Sequence, residues 1–164
     1  MDSDAIRLTG VGLGWLRLTP TATLKFGIEY LDRVDIKLFP AGGLFIQPTP
    51  DLKMNLYFPR PKVAWRFPNL NNYEVWGYAG AEYGGGSWSL ERDRGAAFGT
   101  VDNRVDINDI RTFIGLEWLG PRGITGFFEG GYVFERELVI DLQVLPNERV
   151  PLSDSFMLRS GIAF

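Results

Sequence analysis

The stretch that decides the fold is the last ten residues, 155-SFMLRSGIAF-164. Extended backbone turns successive side chains to opposite faces. Phe156, Leu158, Ser160, Ile162 and Phe164 therefore share one face, and Met157, Arg159, Gly161 and Ala163 share the other. The first face is apolar with an aromatic at each end, and the second is small with a single cation. In a water-soluble sandwich the apolar face packs on a core and the cation meets water. In a membrane barrel the apolar face meets lipid and the cation points into the lumen. Ends of soluble domains usually fray, because few contacts offset the entropy of ordering them. A strand carried through to a terminal Phe164 is expected to have a place to be.

The same two-residue period recurs outward from this strand. Leu24, Phe26, Ile28 and Tyr30 alternate with Lys25, Gly27 and Glu29. Leu52, Met54, Leu56 and Phe58 oppose Asp51, Lys53, Asn55 and Tyr57, and Val63, Trp65 and Phe67 oppose Lys62, Ala64 and Arg66. Thr112, Ile114, Leu116 and Trp118 alternate with Arg111, Phe113, Gly115 and Glu117. In 124–141, Phe128, Tyr132, Phe134 and Leu138 face away from Glu129, Gly131, Glu135 and Glu137, with Arg136 out of pattern. Segments at 6–19, 41–47 and 74–92 bring the expected total to nine strands and no helix.

Composition agrees. The 164 residues suffice for one domain, 1–164, with a sizeable core. Hydrophobic residues at 45% place the chain outside the disordered class, and 14% aromatics with 20 glycines favour strands with bulges and tight turns over helices. A net charge of −3, with scattered basic residues, gives nucleic acid nothing to bind. The chain has no cysteine and no histidine, so disulfide scaffolds, thiolate metal sites and histidine-based triads are all excluded. MDSDAIRLTG lacks the apolar run of a secretory signal, and no segment approaches the roughly 18 apolar residues of a spanning helix. A membrane crossing by this chain is made with strands.

Charges favour that crossing. Lys25, Glu29, Lys53, Arg66, Glu82, Arg111, Glu117, Glu129 and Arg159 lie mid-strand on the polar faces, with both signs nearly balanced. A narrow lumen forces such charges to pair, and the parity of the strands points Arg159 at a carboxylate such as Glu129. Connections counted back from the C-terminus alternate as in an up-and-down barrel: long (142–155), short (LGPRG), long (RDRGAAFGTVDN), medium (PNLNNY). The alternation fades at FPRPK, which it would make long and which is short; extended to the front, it puts the N-terminus on the outer side. Bacterial barrels have even strand numbers, so the reading expects an N-terminal strand and a signal sequence to be missing.

The stretches EYLDRVDIKLFPAGG (29–43), LYFPRPKVAWRF (56–67), GAEYGGGSWSLER (80–92), DINDIRTFIGLEW (106–118) and EGGYVFERELV (129–139) resemble an uncharacterised planctomycete-type outer-membrane β-barrel family, a domain of unknown function. The FPRP and EYGGGSW motifs carry most of the resemblance. It implies the barrel fold, the outer-membrane location and a longer N-terminus with a signal peptide. It implies no catalytic residue and no cofactor.

Other chemistry is weak. The Gly84–Gly86 run lacks the Lys-Ser/Thr and helix of a phosphate loop; such glycines relieve coiling strain and leave room for an aromatic such as Trp88 or Tyr83. Asp102, Asp106, Asn108 and Asp109 offer oxygen ligands to calcium, but their spacing departs from the EF-hand loop and suits an Asx-rich hairpin base. Glu129, Glu135 and Glu137 are paired carboxylates by spacing alone, with cations available on matching faces.

The expectation is an all-β, antiparallel, up-and-down transmembrane barrel of nine to ten strands in the bacterial outer membrane. Its role is structural or porin-like small-solute transport, without catalysis or cofactor, and a lysine/arginine–glutamate network fills the lumen. Its partners are outer-membrane lipid and the barrel-assembly machinery, which reads Phe156, Leu158, Ile162 and Phe164 as the C-terminal signal. The alternatives are a soluble lipocalin-like barrel, with Leu24, Phe26 and Ile28 turned inward on an apolar ligand, and a histidine-independent enzyme at the outer rim.

Overall fold

A computed structural model describes residues 9–31, 37–68, 72–93, 100–140 and 147–164, with the side chains of 89–93 and 100–104 outside that description. The strands are β1 (Gly10–Thr19), β2 (Ala22–Tyr30), β3 (Leu38–Thr49), β4 (Leu52–Phe58), β5 (Lys62–Arg66), β6 (Glu74–Asp93), β7 (Thr100–Leu119), β8 (Thr125–Ile140), β9 (Glu148–Leu152) and β10 (Ser155–Ala163). Each pairs antiparallel with the next from β1 to β8, and β8 then pairs with both β9 and β10. Arg136 of β8 faces Leu152 of β9, while Val133 faces Ser155 of β10. β9 and β10 are thus one edge strand interrupted at Ser153 and Asp154. The Tyr132 hydroxyl donates to Asp154 Oδ2 at 3.0 Å and the Arg136 guanidinium donates to the Ser153 carbonyl at 2.8 Å, which fixes the interruption. The chain is an all-β, up-and-down antiparallel sheet whose ten strands fill nine positions, with β1 and β10 at the two ends of the pairing order.

Turn chemistry sets the connections. The β4–β5 corner carries Pro59 and Pro61, which have no N–H to give to a ladder. Between β7 and β8, Gly120 N–H donates to the Ile124 carbonyl at 2.7 Å around a 3-10 turn, Pro121–Gly123, where Arg122 and Gly123 take positive φ.

The two faces of the sheet differ sharply. Residues directly opposite across a ladder share a face. Ile114 faces Gly130, which faces Leu158; Leu116 faces Phe128, which faces Ser160; Thr112 faces Tyr132, which faces Phe156. These rows build one contiguous apolar patch over β7, β8 and β10, and it is the exposed face: Ile114 is 69% and Phe156 90% accessible. Phe26 and Ile28 on β2 are likewise exposed, at 53% and 55%. The charged and glycine-rich face turns inward. The buried cluster of Ala64, Trp76 and Tyr78, with Phe113 packed on it, lies on that inner side among the charges.

Several expected boundaries are corrected. The long connection at 142–155 contains β9, because Glu148–Leu152 pairs with Arg136–Ile140. The long loop across RDRGAAFGTVDN contracts, since β6 reaches Asp93 and β7 begins at Thr100. Expected as AGGLFIQ, β3 runs from Leu38 to Thr49. On β8 the alternation breaks at Glu135, which takes φ of 49°. There Phe134–Glu137 spans what Asn108–Ile110 spans on β7, one residue more on β8. That bulge moves Leu138 off the face of Phe134 and explains why Arg136 fits no period.

Candidate functional site

The inner face is organised by register. Lys53 faces Ala64, Ala64 faces Tyr78, Tyr78 faces Gly115, Gly115 faces Glu129, and Glu129 faces Arg159, one row across β4 to β10. Glycine is required at 115 by close approach. A Cβ there would stand 2.6 Å from Tyr78 Cζ and 2.7 Å from Glu129 Cβ. With only hydrogens in the way, Tyr78 leans across β7 and its hydroxyl donates to Glu129 Oε2 at 2.8 Å.

From Glu129 an alternating chain of charge runs towards the long-strand end. Arg159 Nε donates to Glu129 Oε1, and Arg159 Nη1 donates to Glu82 Oε1 at 2.7 Å. Arg111 shares that Glu82 oxygen at 3.3 Å and grips Asp109 with a two-pronged fork at 2.7 and 3.0 Å. The sequence Asp109–Arg111–Glu82–Arg159–Glu129–Tyr78 is continuous. Arg159 on β10 reaches Glu82 on β6 past two intervening strands, a separation of about 14 Å on a flat sheet. The sheet is therefore curled towards this face. Glu129 and Asp109 are only 5% and 4% exposed, a burial that carboxylates tolerate when their oxygens are taken up by donors. Gly84 makes room for the fork: a Cβ there would press on Asp109 Oδ1 and stand 2.5 Å from Arg111 Nε. Gly86, as expected of that run, accommodates the Trp88 ring.

Elsewhere on the face, Lys62 Nζ donates to Glu117 at 2.5 Å and lies 3.9 Å from the Tyr78 ring centroid. Arg60 pairs with Glu29 at 3.2 Å, and Arg66 with Asp51 at 2.6 Å. Lys25 donates to Asn55 Oδ1 at 3.2 Å, and Lys53 Nζ lies 3.9 Å from the centre of Trp76, whose indole N–H goes to Glu74.

Two cavities open onto this face. One of about 490 Å³ lies among Asn55, Lys62, Tyr78, Glu82, Glu129 and Arg159. The other, about 540 Å³, lies towards the tight turns among Lys53, Glu74, Trp76 and Thr125, and Glu117 and Phe127 line both. No family model, curated protein or solved structure matches this chain.

The nine residues expected on the polar side all lie on the inner face. Glu82, Arg111, Glu129 and Arg159 form one network there. Glu117, Glu29 and Arg66 pair separately, and Lys25 and Lys53 meet no carboxylate within 4.0 Å among the described residues. Sequence reasoning omitted Tyr78, Lys62, Arg60 and Asp109 from this set. Tyr78 shares a strand face with Glu82 four residues on, and Lys62 with Arg66, so parity was the available signal. Of the four calcium candidates, Asp109 is held by Arg111, and among the described residues no three acidic, histidine or cysteine side chains are grouped. Asp102's side chain lies outside the described residues. Of the spaced acids on β8, Glu129 and Glu137 are taken by Arg159 and Arg149. Phe156, Leu158, Ile162 and Phe164 all stand on the exposed face.

Proposed function

We propose that this chain is a bacterial outer-membrane β-barrel protein with a structural or porin-like small-solute role, its narrow lumen filled by the arginine–glutamate network. The observation that carries the reading is the orientation of the two faces. Water-soluble monomers rarely expose contiguous apolar patches beyond a few hundred Å². Here Ile114, Leu116, Phe128, Phe156 and Leu158 stand together exposed on one face while Glu129 and Asp109 are buried on the other. A lipid band with a polar interior accounts for both at once.

Closure of the nine-position meander belongs to the same proposal, as does kinship with the planctomycete-type barrel family through the FPRP and EYGGGSW motifs. So does recognition of the Phe156–Phe164 strand by the assembly machinery. The proposed role is not catalytic, and serine chemistry that relies on a histidine base is closed to a chain without histidine. A lipocalin-like arrangement needs the Phe26 and Ile28 side inward, against the exposure of both residues. Expression of the full-length protein in a bacterial host tests the proposal. It predicts recovery with the outer membrane and heat-modifiable gel mobility, and recovery as a detergent-free soluble monomer would overturn it.

A further inference from the structure

We infer that the β2–β4 wall of the inner face binds small inorganic anions at two places, Lys25 and Lys53. This rests on the membrane reading above and deepens it by naming the class of solute. Arg60, Lys62, Arg66, Arg111 and Arg159 on or beside the inner face each have a carboxylate partner. Lys25 and Lys53 differ. Around the Lys25 ammonium stand Asn55 Oδ1 at 3.2 Å and the rings of Phe45 and Tyr57, with centroids at 5.4 and 5.8 Å. The Lys53 ammonium rests 3.9 Å from the centre of Trp76.

An ammonium has three protons to donate, and one neutral oxygen or a ring face leaves donors over. Partial burial on a low-dielectric wall raises the cost of that unbalanced charge, so a mobile counter-ion is drawn to it. Space for one is at hand. Lys53 lines the cavity at the turn end, and Asn55, the partner of Lys25, lines the adjoining one. Glu117, shared by both cavities, is engaged by Lys62, and Glu74, whose carboxylate accepts from the Trp76 indole, makes no ion pair with Lys53 within 4.0 Å among the described residues. The two cations mark successive stations along one wall.

Chloride is the probe. With the full chain folded in detergent micelles, the chlorine NMR line is expected to broaden on adding wild-type protein. The excess width should fall by more than half in the K25Q/K53Q double variant and return in K25R/K53R, which keeps both charges. In planar bilayers, any current in a KCl gradient should reverse at a potential of anion-preferring sign. Equal broadening by wild type and the Gln variant, or a cation-preferring reversal potential, overturns the inference. Heat-modifiable mobility of the same samples separates that result from failure of the membrane reading: folded micellar protein without lysine-dependent broadening defeats only the anion site.

Discussion

Glu129 is the residue on which the inner face turns, because it joins Tyr78 on β6 to Arg159 on β10 through the gap left by Gly115. Removing one partner of a buried ion pair strands the other, at a cost of about 3–5 kcal/mol. Glu129→Ala is therefore expected to lower the unfolding free energy in vesicles by that amount in a urea titration, whereas the same change at exposed Glu148 should be within about 0.5 kcal/mol. Much at this scale was legible. Arg159 and Glu129 fall on inward faces of their strands by simple counting, and they do pair. Tyr78 was hidden because a neutral phenol carries no charge signal, and Asp109 because its place among other acidic residues suggested a metal when its partner was the arginine two residues on.

At the scale of the strand, the outward apolar stripe and the inward polar stripe make opposite demands on substitution. Ile114 lies outward on β7 between the rows of Leu116 and Thr112. On a water-facing surface, Ile114→Arg would shift stability by no more than about 0.5 kcal/mol. On a lipid-facing one it is expected to cost about 2–4 kcal/mol, read as a lowered urea midpoint in vesicles. Strands with clean alternation, such as β2, β4 and β10, were readable because a period of two survives wherever one face is apolar. β9 was not, since Pro151 and its charged neighbours break the pattern and only pairing with β8 defines the strand. The start of β7 was lost for a similar reason: Thr100–Asn103 reads as loop beside its polar neighbours, yet it pairs with Leu90–Asp93.

For the whole molecule, the pairing order was largely implicit in the sequence, because short turns leave antiparallel neighbours little choice. The curl that brings β10 within reach of β6 was not, since it depends on glycines at 84 and 115 meeting particular long side chains across the sheet. On the membrane proposal, this curled sheet is turned inside out relative to a soluble protein, with lipid outside and charge within. Trp65 points outward and is exposed, while Trp76 points inward and is buried. The decisive measurement is fluorescence quenching of single-tryptophan variants retaining Trp65 or Trp76, reconstituted in vesicles of acyl-chain-brominated lipid. Strong quenching of Trp65 and little of Trp76 is expected; an unquenched Trp65, or equal quenching of both, rules out a lipid-facing outer surface.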